Sequence, residues 1–201
     1  MEIFSYINIG GTIAFVASGT LAGIRQKLDI FGILVIAFVT AIGGGTLRDL
    51  LIGQSPVKWL MDVNIIYLIV GVSLATILFR KYIDKLDKTL LFFDTLGLAF
   101  FTIRGIEVGL ETQLSTPSCI ILGTITACFG GVIRDILLNE VPTIFSKEIY
   151  ATACIVGGIS FFVFKNFDIS QTLLELLTFI IIIGIRFFAI KTNFTLPKIE
   201  K

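Results

Sequence analysis

The sequence has no histidine, few charged residues and only four prolines. Histidine is the commonest general base and transition-metal ligand, so its absence argues against acid–base catalysis and a histidine metal site. Charged residues form 15% of the 201-residue chain, against about 25% in an ordinary soluble domain. Its 16 basic and 15 acidic residues form no run of like charge, so nothing predicts nucleic-acid binding.

Cysteine is also scarce. The three cysteines, Cys119, Cys128 and Cys154, show no CxxC spacing and each lies within an apolar segment. We predict that they are small buried residues without a redox or metal-binding role.

Hydrophobic residues make up 55% of the chain, and the mean hydropathy is +0.96. A membrane-spanning helix needs about 20 mostly apolar residues. Segments of this kind fill most of the sequence, so we predict a single all-α integral membrane domain over 1–201. The seven predicted transmembrane helices cover 4–24, 30–52, 63–80, 89–110, 116–138, 148–165 and 172–190.

The connections between these segments differ in basic residues. One side of a seven-span chain would carry two Lys or Arg residues, Lys58 and Lys165, and the other side ten. The ten are Arg25, Lys27, Arg80, Lys81, Lys85, Lys88, Lys147, Lys191, Lys198 and Lys201. Since basic loops remain in the cytoplasm, we predict an external N-terminus and a cytoplasmic C-terminus.

The sequence repeats itself at an offset of 86 residues without gaps. Residues 40–51 (TAIGGGTLRDLL) align with 126–137 (TACFGGVIRDIL), and Pro56 aligns with Pro142. The same offset aligns Gly11 with Gly97, Phe15 with Phe101, Gly19 with Gly105, Gly23 with Gly109 and Gly71 with Gly157. The repeat therefore extends over three helices.

A repeat with three spans reverses its orientation in the second copy. We predict an inverted repeat, with copy one at about 4–80, copy two at about 89–165 and a seventh helix at about 172–190 outside the symmetry. Such proteins place their pathway between the copies, near the membrane midplane.

Glycines are grouped in the second and fifth helices. Each glycine weakens a helix by roughly 1 kcal/mol relative to alanine, so the groups favour a kink or an unwound turn beside a pathway. The alternative is close helix packing, which we expect for the glycines of helices one and four. The candidate pore glycines are Gly43, Gly44, Gly45, Gly130 and Gly131.

An Arg-Asp pair follows each glycine group within an apolar segment, where an unpaired charge is costly. Sequence neighbours point about 100° apart on a helix. We therefore expect reciprocal pairs between the copies, Arg48 with Asp135 and Arg134 with Asp49. The alternative is that each arginine reaches towards the membrane interface.

Helix four adds three charged candidates, Asp94, Arg104 and Glu107, whose counterparts in the first copy are the uncharged Asn8, Ser18 and Leu21. Arg104 and Glu107 are three residues apart and can pair locally. Glu175 and Arg186 near the ends of helix seven are expected at the membrane interfaces, as is Tyr150 in an aromatic belt.

The doubled Gly-Gly-x-x-Arg-Asp-x-Leu motif closely resembles the prokaryotic trimeric intracellular cation (TRIC) channel family, also known as the UPF0126 or glycine-transporter family. Further resemblance lies in Asp29-x-Phe31-Gly32, Asn139-Glu140-Val141-Pro142 and Tyr150-Ala151. It implies a homotrimer of seven-helix protomers, each with its own pore. It also implies passive conduction of monovalent cations, chiefly K⁺, with helices two and five kinked at the glycines.

Applied to this sequence, the resemblance assigns pore roles to the five candidate glycines and to Arg48, Asp49, Arg134, Asp135 and Asp94. The Lys-Glu-Val motif of animal members is absent, which favours a prokaryotic plasma (inner) membrane. No cofactor or tightly bound metal is expected; the transported ion is K⁺, with Na⁺ a second candidate, and the partners are other copies of the chain and membrane lipids.

Two functions remain open on the residues alone. Inverted repeats and broken helices are found in channels and in secondary transporters, so a carrier for glycine or another small zwitterion is the alternative to a cation channel. We do not expect an enzyme, because no nucleophile or metalloprotease motif is present.

Overall fold

A computed structural model describes residues 2–83, 85–146, 149–167 and 169–192. Seven long helices lie within these ranges, so the predicted all-helical fold is confirmed. They are α1 (Glu2–Arg25), α2 (Ile30–Leu51), α3 (Val63–Phe79), α4 (Leu86–Glu111), α5 (Thr116–Leu137), α6 (Ala151–Lys165) and α7 (Gln171–Thr192).

Three short helical turns connect them: Lys58–Met61 before α3, Arg80–Tyr82 after it, and Thr143–Ser146 before α6. The helix bounds agree with the predicted spans to within three residues. Residue 148, where the sixth span was expected to begin, lies outside the described ranges, as do Lys147, Lys198 and Lys201 of the basic side.

Local sequence explains where the helices begin and end. The side chain of Asp29 accepts a hydrogen bond from the Gly32 N–H at 2.7 Å and caps α2, and Ser115, 86 residues later, caps α5. The left-handed residues of the described chain are Lys27, Gly53, Gln113 and Asn139. They form two pairs 86 residues apart, so the turns after α1 and α2 recur after α4 and α5.

Six of the seven helices are long and apolar enough to cross a membrane. The exception is α6, whose 15 residues extend about 22 Å at a rise of about 1.5 Å per residue. Large apolar side chains are exposed in the middle of several helices, including Val35, Leu74, Ile121 and Ile180. An apolar exterior of this kind suits lipid rather than water.

The centre of the fold is formed by α1, α2, α4 and α5, which pack on one another. Around them, α3 packs on α1, α6 on α5, and α7 on α6 and α4. Cys119, Cys128 and Cys154 are buried and unpaired by disulfides, as expected for small core residues.

The glycines of α2 and α5 lie where these two helices cross. A Cβ atom added to Gly44 would be 2.0 Å from the Thr126 carbonyl oxygen, and one added to Gly130 would be 2.2 Å from that of Thr40. The two contacts are equivalent under the 86-residue offset. Only glycine permits the two helices to approach this closely. The atoms that a Cβ would meet belong to the backbone of the other helix, and they cannot move aside as the end of a flexible side chain can.

Both helices remain α-helical through their glycines. An unwound turn was therefore the wrong expectation, since the close backbone contact stabilises the regular helices. A kink within a continuous helix stays a prediction.

Gly44→Ala should destabilise the protein by about 1–3 kcal/mol, the usual cost of forcing an extra group into a packed core. Gly71→Ala is the matched control, because a Cβ at Gly71 would meet nothing within 4 Å. The measurement is thermal unfolding of both variants in mild detergent. An equal Tm for the two would contradict the proposed crossing constraint.

Candidate functional site

Two buried clusters of charge lie at opposite ends of the α2–α5 crossing. Within the first, Arg48 donates through Nε (2.9 Å) and Nη2 (2.7 Å) to Asp49 Oδ1, and both side chains are more than nine-tenths buried. The other oxygen of Asp49 accepts the Lys58 backbone N–H at 3.0 Å. Asp49 thus joins α2 to the helical turn that precedes α3.

Lys58 extends the positive charge of this cluster. The residue as a whole is exposed, yet partial desolvation of its ammonium group lowers its pKa below the ordinary value, and the nearby charges of Arg104 and Arg48 act in the same direction. Trp59, next in sequence, donates its indole N–H to the Thr46 hydroxyl at 2.9 Å and covers the cluster.

The second cluster repeats the first and adds a carboxylate. Arg134 donates through Nε to Asp135 Oδ1 at 2.8 Å, and through Nη1 to Asp94 Oδ1 and the Ser18 hydroxyl, both at 2.8 Å. The second oxygen of Asp135 accepts the backbone N–H of Thr143 (2.9 Å) and its hydroxyl (3.0 Å). This aspartate therefore joins α5 to the helical turn before α6.

The expected reciprocal pairs between copies, Arg48 with Asp135 and Arg134 with Asp49, are wrong. Each arginine pairs with the aspartate next to it in sequence. The long arginine side chain spans the 100° between neighbouring positions. Each arginine folds back along its own helix past the glycine three residues earlier, Gly45 or Gly131, where an added Cβ would be in ordinary contact with Nη2 at 3.6 and 3.5 Å respectively.

A pair of phenylalanines lies between the two clusters. Phe15 of α1 and Phe101 of α4 are buried, with ring centroids 5.1 Å apart, and they occupy equivalent positions of the repeat. Phe15 fills the space over Gly97, and Phe101 lies over Gly11. These matching contacts place the two rings beside the helix crossing.

Each cluster borders a cavity. The Arg48 cavity holds about 40 Å³, and its lining includes Asn8, Thr12, Arg48, Trp59 and Phe101. The Arg134 cavity holds about 370 Å³, and its lining includes Arg25, Asp87, Arg134, Asp135 and Glu140.

Surface ion pairs lie at the entrance of the Arg134 cavity. The Arg25 guanidinium group forms an ion pair with Glu140, whose carboxylate also accepts a hydrogen bond from the Gln26 side chain. Arg25 Nη1 lies 3.5 Å from Asp87 Oδ1. These ion pairs therefore link the end of α1 to the start of α4 and to the loop after α5.

The two ends differ in charge as the sequence suggested. Asp94 neutralises Arg134, whereas its counterpart Asn8 lies in the Arg48 cavity without a charge. The expected local pair of Arg104 with Glu107 is present at 3.3 Å, and Arg104 also contacts Glu111 at 3.0 Å. Arg134 is therefore paired with one more buried carboxylate than Arg48 is.

Glu175, Arg186 and Tyr150 are buried among the helices, and their expected positions at the membrane interfaces stay a prediction. Arg186 donates to the Ile149 carbonyl oxygen at 2.6 Å and lies 4.9 Å from the centre of the Tyr150 ring. The burial of Glu175 and Arg186 follows from the packing of α7 on α4 and α6. Sequence analysis did not predict roles for Ser18 and Thr143. Their hydroxyl groups form hydrogen bonds with Arg134 and Asp135, respectively, and only the tertiary structure brings them together.

The comparisons with known proteins agree with this architecture. A sequence profile described as glycine transporter matches residues 5–81 and again 91–166. The chain is 34% identical to the UPF0126 inner membrane protein YadS of Escherichia coli K12 over 96% of this chain and 94% of that protein. It is 45% identical to a UPF0126 membrane protein of Vibrio cholerae over 76% of this chain, a region that spans 64% of the Vibrio protein.

Solved structures show the same fold. The TRIC trimeric intracellular cation channel orthologue from Rhodobacter sphaeroides superposes with a TM-score of 0.91 and 30% identity, over 96% of this chain and all of that one. A prokaryotic TRIC channel crystallised in 0.5 M KCl gives a TM-score of 0.89 and 32% identity, over 97% and 99% of the two chains. The chain belongs to the prokaryotic TRIC channel family.

Membership of the TRIC family confirms the resemblance seen in the doubled motif, together with the prediction of a multi-span membrane protein. It also agrees with the expectation that the chain is not an enzyme, since the matched relatives of known structure are channels.

Asp94→Asn should destabilise the protein by about 1.5–3 kcal/mol, because Arg134 would lose a charge-assisted hydrogen bond in a buried site. Asp87→Asn is the control: this carboxylate is 76% exposed and contacts Arg25 at 3.5 Å, so its loss should cost no more than about 1 kcal/mol. Unfolding in detergent at neutral pH compares them. A larger effect of Asp87→Asn would rule out the stabilising role of Asp94.

Proposed function

We propose that this chain forms a monovalent-cation channel, permeable to K⁺ and with Na⁺ as a second candidate ion. The pathway would lie within each protomer, along the α2–α5 crossing. The observation that carries the proposal is the arrangement of two cavities, each bordered by the arginine of a buried Arg-Asp pair, on either side of the Phe15–Phe101 contact.

The order of residues along α1 describes the pathway. Asn8 and Thr12 line the Arg48 cavity, Phe15 follows, then Ser18 at the Arg134 cluster and Arg25 at the Arg134 cavity. A cation would thus pass between two polar regions through an apolar constriction, which can close a pore by excluding water.

The charged residues suit a pathway for cations when each arginine keeps its carboxylate partner. Asp49 and Asp135 neutralise the two arginines, and Asp94 adds a negative charge at the Arg134 end. Carboxylate oxygens favour cations in a pore. Arg104 and Glu107 would shape the potential near the Arg48 end.

The glycines serve this pathway by holding α2 and α5 together. Gly44 and Gly130 permit the crossing, and Gly45 and Gly131 lie beside the guanidinium groups of the two arginines. Gly43 also lies against α5: a Cβ atom added to it would be 2.9 Å from Cδ1 of Ile133. A kink at these positions would allow the crossing to open.

The proposed architecture is an inverted repeat of α1–α3 and α4–α6, with α7 outside it. Equivalent turns, equivalent glycine contacts and the doubled profile match support the repeat. The excess of basic residues on one side supports an external N-terminus, with the Arg134 cavity opening to the cytoplasm. YadS, described as an inner membrane protein, supports the same location here.

The assembly would be a homotrimer in a lipid bilayer, as the Rhodobacter relative is described as trimeric. Its partners are other copies of the chain and membrane lipids, one of which can remain bound. The proposal includes no cofactor, no tightly bound metal and no nucleic acid.

Flux from proteoliposomes under a K⁺ gradient tests the channel. Phe15→Ala and Phe101→Ala should each increase K⁺ flux, because a smaller side chain widens the apolar constriction. Phe100→Ala is the matched control, since Phe100 packs on Phe179 of α7 at 4.6 Å. Wild-type flux should be fast and should not saturate with K⁺, and its absence in protein that is folded and correctly reconstituted would overturn the proposal.

Glycine transport is the second candidate, favoured by the description of the matching family profile. Uptake of labelled glycine into the same proteoliposomes distinguishes the two functions. Saturable, competable uptake with negligible K⁺ conductance would identify a carrier, and the carboxylates of both clusters would then become candidates for substrate or coupling-ion sites.

A further inference from the structure

Three buried side chains at the Arg134 cluster have polar atoms without a hydrogen-bond partner. They are Asp94, Tyr150 and Arg186, and each is 1% exposed. Within the described part of the chain, five buried side-chain atoms lack a partner. Four of them belong to these three residues: Asp94 Oδ2, Tyr150 Oη, Arg186 Nε and Arg186 Nη2. Since buried polar groups are almost always hydrogen-bonded, their concentration in one place requires an explanation.

The tyrosine is held in place by α7. Arg186 donates to the Ile149 carbonyl oxygen at 2.6 Å, and its Cζ atom lies 4.9 Å from the centre of the Tyr150 ring. The guanidinium group therefore packs both on the ring and on the backbone just before α6. Arg186 thus restrains the position of the Tyr150 hydroxyl.

Gly131 of α5 lies between this hydroxyl and the carboxylate of Asp94. A Cβ atom added to Gly131 would be 2.8 Å from Tyr150 Oη, 3.5 Å from Arg134 Nη2 and 3.8 Å from Asp94 Oδ1. The space beside the glycine is therefore bordered by polar atoms from α4, α5 and the segment before α6. Tyr150 Oη and Asp94 Oδ2 both lack a partner, so no direct hydrogen bond joins them.

A water molecule suits this space better than an ion does. The Tyr150 hydroxyl can donate a hydrogen bond, the Asp94 carboxylate can only accept one, and water does both. Buried water molecules make about three hydrogen bonds to groups that otherwise lack partners. Among the described residues, Arg134 and Arg186 balance the charges of Asp94 and Asp135. The cavity of about 370 Å³ beside Arg134 gives water a route to the site.

We propose that Tyr150 is a positioning residue for Asp94: its hydroxyl donates to a water molecule beside Gly131, and this water donates to Asp94 Oδ2. Arg134 and Ser18 both donate to the other oxygen, Oδ1. The water bridge therefore holds the second oxygen of the carboxylate. A carboxylate bound through both oxygens keeps one orientation in the proposed pathway.

The first copy of the repeat is built differently at the equivalent place. Asn64 takes the position of Tyr150, is exposed, and donates through its side chain to Asp62 at 3.0 Å. Of the described residues, only Arg48 would lie within 4 Å of a Cβ atom added to Gly45, the equivalent glycine. The bridge is therefore specific to the second copy.

Thermal unfolding in detergent distinguishes a bridged hydroxyl from an unpaired one. Removal of an unpaired buried hydroxyl is neutral or stabilising, whereas loss of a hydrogen bond is destabilising. We expect Y150F to lower the Tm by about 2–4 °C. Y67F is the matched control and should leave the Tm unchanged, because Tyr67 is 72% exposed. An unchanged or raised Tm for Y150F would overturn the proposal.

A double-mutant cycle with D94N tests whether the bridge ends on Asp94. An amide oxygen accepts a weaker hydrogen bond than a carboxylate does, so Y150F should lower the Tm by about half as much, or less, when D94N is present. An equal decrease in both backgrounds would contradict the bridge. If D94N does not fold, G131A replaces it. The added methyl group fills the space of the water, so Y150F should no longer lower the Tm, and an undiminished decrease would again contradict the bridge.

Infrared spectroscopy gives a signature that packing alone would not change. The difference spectrum of wild type and Y150F isolates the phenol C–O stretching band of Tyr150, whose frequency depends on whether the hydroxyl donates a hydrogen bond. We expect the frequency of a donating hydroxyl, and a shift of this band in the difference spectrum of D94N and D94N/Y150F. A band at the frequency of a free hydroxyl, or a band that D94N leaves unchanged, would rule out the bridge.

The effect of Tyr150 on conduction rests on the proposed function. In bilayers under a KCl gradient, the reversal potential of Y150F should lie closer to zero than those of the wild type and Y67F, because a misplaced Asp94 favours K⁺ over Cl⁻ less. A wild-type reversal potential in Y150F would count against the positioning role. Absence of wild-type conductance would instead overturn the proposed channel, and the unfolding and infrared measurements would still decide the bridge.

Discussion

The close crossing of α2 and α5 is the constraint on which the structure depends. Gly44 lies against the backbone of Thr126, and Gly130 against that of Thr40. The two glycines place the Arg-Asp pairs at opposite ends of one contact. Because a side chain at either glycine would force the helices apart, the positions of both buried clusters follow from the absence of two Cβ atoms.

Each buried arginine is neutralised by the aspartate next to it in sequence. Arg48 and Arg134 pair with their neighbouring aspartates, and each aspartate then accepts a backbone N–H from the segment that leads into α3 or α6. Charge neutralisation and the direction of the chain after each helix are thus achieved by the same side chain. This explains why the motif contains Arg and Asp side by side.

The asymmetry between the two copies gives the protein two different ends. Asp94 adds a carboxylate to one cluster, while the Arg104–Glu107 ion pair lies towards Lys58 of the other. Within the described part of the chain, the extensive contacts of α7 are with α4 and α6, which both belong to the second copy. A displacement of α7 would therefore change the contacts of the second copy, through α4 and α6.

The sequence by itself determined the helices, the repeat and the family. Long apolar segments and matched turn residues define the seven helices, and the doubled glycine and Arg-Asp motif identifies the positions that matter. Only the tertiary structure decided which charges pair, that Phe15 meets Phe101, and that Glu175, Arg186 and Tyr150 are buried. Helix periodicity predicts the direction of a side chain, but the reach of a long arginine and the burial of a helix end depend on which helices pack beside it.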